Sequence, residues 1–245
     1  MKSGTDPPET HRVVDVRDQA GPDPAWGTVA THVQRWPALA AVAAAILLYY
    51  FLPDKLYYGP KFLLPAVEGA MIVPLVVSRQ RSRNEEEPWQ RWTALAVVAV
   101  INAANIGSLA LLIHALIGSN MFAGHKITAH DLIFWSAQIW LTNVIVFALW
   151  YWELDRGGPG ARCRVRHREP DFLFPQMANP DAAPRYWEPS FVDYLYVSFT
   201  NATAFSPTDT MPMTEWAKLL MMLQATTSLL TVALVAARAV NILGS

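Results

Sequence analysis

Long apolar stretches alternate with short polar ones along most of the chain. Five of the apolar stretches are uncharged or nearly so, and each is long enough to be interpreted as a membrane-spanning helix. They lie at roughly 36–52, 62–78, 92–117, 132–152 and 219–237. Five such helices in 245 residues, of which only 16% are charged, leave too little polar protein to cover them as soluble cores. The pattern predicts an all-α membrane protein with about five transmembrane helices.

The stretch before the last span has a different pattern. Residues 190–203 are aromatic and amphipathic, but they are too few to cross a bilayer. A loop rich in Ser, Thr, Pro and Asp follows, and the last apolar helix comes directly after it. The order predicts a short re-entrant pore-type helix ahead of the last span.

These elements divide the chain into three parts. Residues 1–35 are polar and contain four prolines, so we expect a disordered or surface-lying tail. Residues 36–130 are expected to form a three-helix transmembrane region. Residues 131–245 are expected to hold an outer helix, a long basic and proline-rich loop, the pore-type helix and the last helix.

The distribution of Lys and Arg predicts the orientation in the membrane. Fourteen of these residues lie in the N-terminal tail, the 79–91 loop and the 153–190 loop, whereas the alternate loops hold three. Positively charged loops stay in the cytoplasm. The tail and both of these loops are therefore predicted to be cytoplasmic. Anionic lipid headgroups are the predicted partners of the basic run formed by Arg162, Arg164, Arg166 and Arg168.

Composition narrows the classes of function. One cysteine allows neither an internal disulfide nor a thiolate metal site, and a net charge of −1 gives no reason to expect nucleic-acid binding. The chain shows no nucleophile–base arrangement and no phosphate-binding loop, so we expect no enzyme, catalytic residue, metal or cofactor. Arg outnumbers Lys 14 to 5, which suggests a GC-rich bacterial genome.

Polar residues inside the spans are the candidate functional positions. Glu68 lies in the second span, where an acid either has a functional role or holds helices together through hydrogen bonds. Asn102 and Asn105 share one face of the third span and are expected to form interhelical hydrogen bonds. In the last span Gln224, Ser228 and Thr231 form a polar stripe on one helical face. This stripe either faces a water path or packs against other polar helices.

The aromatic run 195–199 (Leu-Tyr-Val-Ser-Phe) is followed by Thr203, Asp209 and Pro212. Through these residues the stretch 131–242 resembles the two-helix pore module of potassium channels. It implies an outer helix, a pore helix, a filter loop and an inner helix that assemble as a homo-oligomer around a path for monovalent cations. The same stretch, with residues 151–159, also resembles a group of bacterial multi-pass membrane proteins with no established activity.

The candidate filter departs from the potassium-channel pattern. Ser206 and Thr208 replace the filter glycines, and Pro207 replaces the central aromatic residue. Proline fixes φ and lacks an N–H, so a ring of aligned carbonyls is not expected. The hydroxyls of Thr203, Ser206 and Thr208, with the carboxylate of Asp209, would instead line a less selective path.

Three hypotheses follow from the sequence. The first is a channel-like protein with an atypical pore loop. The second is a non-conducting membrane sensor or assembly protein that keeps the shape of the pore module. The third is a small transporter or membrane enzyme that uses Glu68, His114 and Asp209.

Overall fold

The structure, a computed structural model, describes residues 35–53, 56, 88–116, 128–162, 169–179, 181, 183–184, 187–203 and 209–243. Its helices are α1 Trp36–Tyr50, α2 Pro88–Leu116, α3 Ala129–Leu154, α4 Pro159–Arg162, α5 Pro175–Ala178, α6 Phe191–Thr203 and α7 Glu215–Leu243. Two short strands, β1 Phe172–Leu173 and β2 Met211–Pro212, pair antiparallel. The described part of the chain is therefore mostly helical, as the sequence predicts.

Three helices are long and apolar enough to cross a membrane. The qualifying stretches are Trp89–His114, His130–Gly157 and Glu215–Ala236. Helix α1 is apolar too, but its 15 residues make it shorter than a typical span. The predicted span at 62–78, with Glu68, lies outside the described residues, as do residues 1–34 of the predicted tail.

Two apolar clusters show in which direction each helix runs. The Trp152 cluster contains Ala38, Val42 and Ala45 of α1, Val97, Val98 and Ile101 of α2, Ile145–Trp152 of α3, and Ala217 of α7 with Leu220 and Met221 packed against it. The Leu112 cluster contains Leu52 and Leu56 after α1, Leu109 and Leu112 of α2, Leu132 and Ile139 of α3, and Leu234 of α7. Helices α1, α2 and α7 therefore run from the Trp152 cluster to the Leu112 cluster, and α3 runs the opposite way.

Helix α6 reaches only the first of these clusters. Phe191, Tyr194 and Val197 are buried in the Trp152 cluster. Further along, the ring of Phe199 lies 5.8 Å from that of Trp140, in the middle of α3. At β2 the chain again lies at the level where α6 begins, because Met211 pairs with Leu173 of β1. Helix α6 thus extends partway along α3, and we call α6 together with residues 209–212 the hairpin.

The two ends of α3 are fixed by local sequence. At its start Thr128 and Asp131 form a capping box, in which each side chain accepts a hydrogen bond from the other residue's backbone N–H. At its end the chain turns sharply, with φ +52° at Arg156, +81° at Gly157 and +95° at Gly158. A Cβ at Gly158 would lie 2.9 Å from the carbonyl oxygen of Glu153. Only glycine fits this position without strain.

Candidate functional site

The carboxylate of Asp155 lies at the end of α3, beside the start of α6. Its side chain is completely buried where α3 ends. Oδ1 accepts hydrogen bonds from the backbone N–H groups of Asp171 (2.9 Å) and Phe172 (3.3 Å). Oδ2 accepts from the hydroxyl of Tyr194 on α6 (2.6 Å) and pairs with Nε of Arg156 (3.2 Å). One buried charge therefore joins α3, β1 and α6.

Asp171 extends this network to the start of α7. Its Oδ2 accepts from the backbone N–H of Arg156 at 2.7 Å, and its Oδ1 accepts from the hydroxyl of Thr214 at 2.9 Å. Thr214 Oγ1 in turn accepts from the N–H of Ala217 at 3.4 Å, which is the geometry of a helix N-cap. We call Asp155, Arg156, Arg162, Asp171, Tyr194 and Thr214 the Asp155 junction.

Arg162 is an internal member of the junction. Only 4% of it is exposed, and its Nη1 donates to the carbonyl oxygens of Trp152 (2.8 Å) and Asp155 (3.0 Å). Its guanidinium carbon lies 4.5 Å from the centre of the Trp152 ring, a cation–π contact. The prediction that Arg162 contacts lipid headgroups was wrong for this reason. Arg164, Arg166 and Arg168 lie outside the described residues, and headgroup contact stays a prediction for them.

Burial also sets the protonation of the tyrosine in the junction. It raises the pKa of Tyr194 well above its ordinary value. The hydroxyl therefore stays protonated at neutral pH and donates to Asp155.

A second network, centred on Gln224 of α7, bonds to the C-terminal half of α6. The side chain of Gln224 is fully buried. Its Oε1 accepts from the hydroxyl of Tyr151 (2.6 Å) and from Nδ2 of Asn201 (2.8 Å). Its Nε2 donates to the hydroxyl (2.6 Å) and the carbonyl oxygen (2.9 Å) of Ser198. We call these four residues the Gln224 network, and they join α3, α6 and α7.

The rest of the polar stripe on α7 is buried as well. The hydroxyl of Ser228 donates to the carbonyl oxygen of Ala202 on α6 (2.6 Å) and accepts from Nε1 of Trp140 on α3 (2.7 Å). Thr231 donates to the carbonyl oxygen of Thr227 in its own helix. Gln224 and Ser228 therefore bond to polar groups of α3 and α6, whereas Thr231 bonds within α7.

The candidate pore-loop residues are only partly described. Thr203 is the last residue of α6 and is half-buried, with its hydroxyl donating to the carbonyl oxygen of Thr200. Asp209 is exposed, on the return path to β2. Ser206, Pro207 and Thr208 lie outside the described residues. The hairpin thus places Thr203 and Asp209 at the two ends of the predicted loop.

Sequence reasoning missed most of the polar contacts. It did not identify Asp171, Tyr151 or Asn201, because their partners are distant in sequence. The available signal was weak: Asn201 is one of several polar residues on the amphipathic α6.

No family model, curated protein or solved structure matches the chain. A function for the chain must therefore follow from the placement of its own residues.

Replacing Asp155 should destabilise the protein strongly. In Asp155→Asn the charge that pairs with the buried Arg156 is lost, and we expect the free energy of unfolding to fall by about 3–5 kcal/mol. Asp181→Asn is the control, because it changes an exposed carboxylate in the segment between α3 and α6. It should shift the free energy of unfolding by less than about 0.5 kcal/mol. Reversible unfolding in mixed micelles measures both, and equal losses in the two variants would contradict the role given to Asp155.

The Gln224 network gives a second prediction. Gln224→Leu keeps the size of the side chain but leaves polar groups of Tyr151, Ser198 and Asn201 with fewer partners, so we expect a loss of about 1–3 kcal/mol. Thr226→Val is the control, because Thr226 is exposed and its hydroxyl bonds only within α7. The same unfolding assay measures both variants. A Gln224→Leu protein as stable as the control would show that the network contributes little.

Proposed function

We propose that the protein is a channel-like membrane protein, in which α3, α6 and α7 form a pore module and copies assemble around α7. The path of the chain through α6 is the observation that supports this most. Helix α6 has 13 residues, about 20 Å at the helical rise, and a hydrocarbon core is about 30 Å thick. Since α6 starts beside the end of α3 and the chain returns to that level by Met211, we interpret the hairpin as re-entrant.

The direction of α6 favours cation binding near its C-terminal end. The C-terminal end of a helix carries a partial negative charge. In α6 that end is Thr203, the first residue of the predicted path, and the carboxylate of Asp209 lies a few residues further on. Hydroxyls and one carboxylate per copy would attract monovalent cations with modest selectivity.

The exposed surface of α7 is consistent with assembly. Helix α3 is mostly buried by its neighbours, whereas most of α7 is not covered by the residues that the structure describes. The exposed α7 side chains include Leu219, Met222, Leu223, Leu229 and Leu230. Lipid or further copies have to cover this face, and in the proposed oligomer copies of α7 meet there.

Five spans are the topology that we propose for the subunit. Helices α1 and α2 both run from the Trp152 cluster to the Leu112 cluster. The end of α1 and the start of α2 therefore lie at opposite ends of the bundle, and the apolar stretch at 62–78 has the length of the further span that we propose between them. The Lys and Arg count then places the Asp155 junction on the cytoplasmic side.

Orientation can be tested by labelling single cysteines from each side of the membrane. In a Cys163→Ser background, Asn179→Cys lies near the Asp155 junction, and His130→Cys lies at the opposite end of α3; both native side chains are exposed. We expect an impermeant maleimide to label position 130 from outside and position 179 only from inside. External labelling of position 179 would reverse the orientation proposed here.

Conduction can be tested with purified protein in planar bilayers. We expect a cation current. Unit charges about 4 Å apart in water attract by about 1 kcal/mol. Removing the charge in Asp209→Asn should therefore lower the current about fivefold for each subunit that carries the change. Asp181→Asn removes an exposed charge away from the loop and should leave the current unchanged. Absence of current with every cation and voltage tested would reject the channel proposal.

A non-conducting sensor or assembly protein is the second candidate. The observation in its favour is that Gln224, Ser228 and Thr231 are buried inside the chain, so the face of α7 left for an oligomer axis is largely apolar. An apolar axis resists entry of hydrated ions. In this case the bilayer experiment gives no current, although the oligomer forms.

A further inference from the structure

The exposed tryptophans of the described residues all lie at one end of the bundle. They are Trp36, Trp89, Trp92 and Trp216, and the other tryptophans that the structure describes are buried or half-buried. Each of the four belongs to the first two turns of α1, α2 or α7. All three helices start at the Trp152 cluster, so the exposed indoles lie at the same end as that cluster.

The exposed tryptophans of α1 and α2 lie at similar heights along the bundle. Trp36 comes shortly before Ala38, the first residue of α1 in the Trp152 cluster, and Trp92 comes shortly before Val97, the first of α2. At a helical rise of about 1.5 Å per residue, both indoles lie within about 8 Å of the cluster, on its outer side. The polar region on each side of a bilayer's hydrocarbon core is about 5–8 Å thick. Both indoles therefore fit into one such region.

Further along the same faces of α1 and α2, the exposed side chains are aliphatic. Leu47 follows Trp36 after about three helical turns, and Ile106 follows Trp92 after about four turns. Residues separated by a whole number of turns lie on one side of a helix. An indole at the end of a helix, with aliphatic side chains beyond it on the same side, is the pattern of a helix that enters a bilayer.

The chemistry of this surface indicates what covers it. Trp36 is 68% exposed and Trp92 is 72% exposed. An indole combines a large apolar ring with one N–H donor, so it suits a boundary where ester and phosphate oxygens lie directly above acyl chains. Arg35 precedes Trp36 and Arg91 precedes Trp92, which places positive charge at the level of the phosphates. The surface therefore matches a phospholipid interface in both polarity and charge.

We propose that Trp36 and Trp92 bind the boundary between the headgroups and acyl chains of one phospholipid leaflet, and that they fix the depth of the bundle in the membrane. The proposal rests on the membrane location in the proposed function and not on conduction. It puts the Asp155 junction at headgroup depth, because Thr214 of the junction lies next to the start of α7, at the same end of the bundle. Trp216 is left out of the surface, because copies of α7 meet there in the proposed channel.

Single nitroxide spin labels on the full chain test the proposal. In a Cys163→Ser background, labels are placed at Trp36→Cys and Trp92→Cys, with Leu47→Cys and Ile106→Cys as matched controls on the same two helices. The protein is reconstituted in vesicles of phosphatidylcholine and phosphatidylglycerol, and collisions with oxygen and with a water-soluble nickel chelate report the depth of each label. We expect positions 36 and 92 at the headgroup–acyl boundary. Positions 47 and 106 should lie about 16 and 21 Å further in, close to the middle of the hydrocarbon core.

Three results would overturn the proposal. Labels at positions 36 and 92 that meet the chelate as often as a label at the exposed Asp181 would lie in water. Labels protected from both reagents would be covered by protein, such as a second copy of the chain. Leu47→Cys and Ile106→Cys keep both tryptophans, so either of these labels at headgroup depth would overturn the proposal even if a tryptophan variant fails to fold. Channel current has no part in the readout, so absence of conduction leaves this test unaffected.

Discussion

The buried carboxylate of Asp155 is the interaction on which the rest of the architecture depends. It accepts four hydrogen bonds, from two backbone N–H groups, one tyrosine and one arginine. A carboxylate taken out of water loses several kcal/mol of hydration, and only this degree of pairing compensates for the loss. The partners come from α6 and from the segment that leads into β1. Both segments are therefore held against the end of α3 by one charge.

Position and backbone conformation make this pairing possible. The chain must turn back immediately after α3, and it does so with positive φ at three successive residues. The turn exposes the carbonyl oxygens of Trp152 and Asp155, which a helix end leaves without partners in the helix. Arg162 donates to both, and its guanidinium carbon lies 4.5 Å from the centre of the Trp152 ring. Arginine suits this place better than lysine because its planar guanidinium is weakly hydrated and stacks on aromatic rings.

The elements of the fold were easier to predict from the sequence than their contacts. Apolar length located α2, α3 and α7, and aromatic periodicity located α6 to within one residue. Hydropathy placed the start of α7 at 219, whereas Thr214 caps the helix so that it begins at Glu215. The bonds of Gln224 cross 23 to 81 residues of chain, and helical periodicity shows only which face is polar, not what lies opposite. The charge count treated Arg156 and Arg162 as loop charges, because sequence alone does not show that an arginine is buried.

The two networks also limit where ions can pass. A water path along α7 needs polar groups that face away from the subunit, yet Gln224 and Ser228 are committed to α3 and α6. Releasing them would break the contacts that hold α6 in place, so the stripe cannot line a pore and support the pore-type helix at once. In the proposed channel, the conducting path would then depend on the predicted loop between Thr203 and Asp209. Because the Asp155 junction anchors both ends of that hairpin, the same buried charge that stabilises the fold also fixes the geometry of the proposed path.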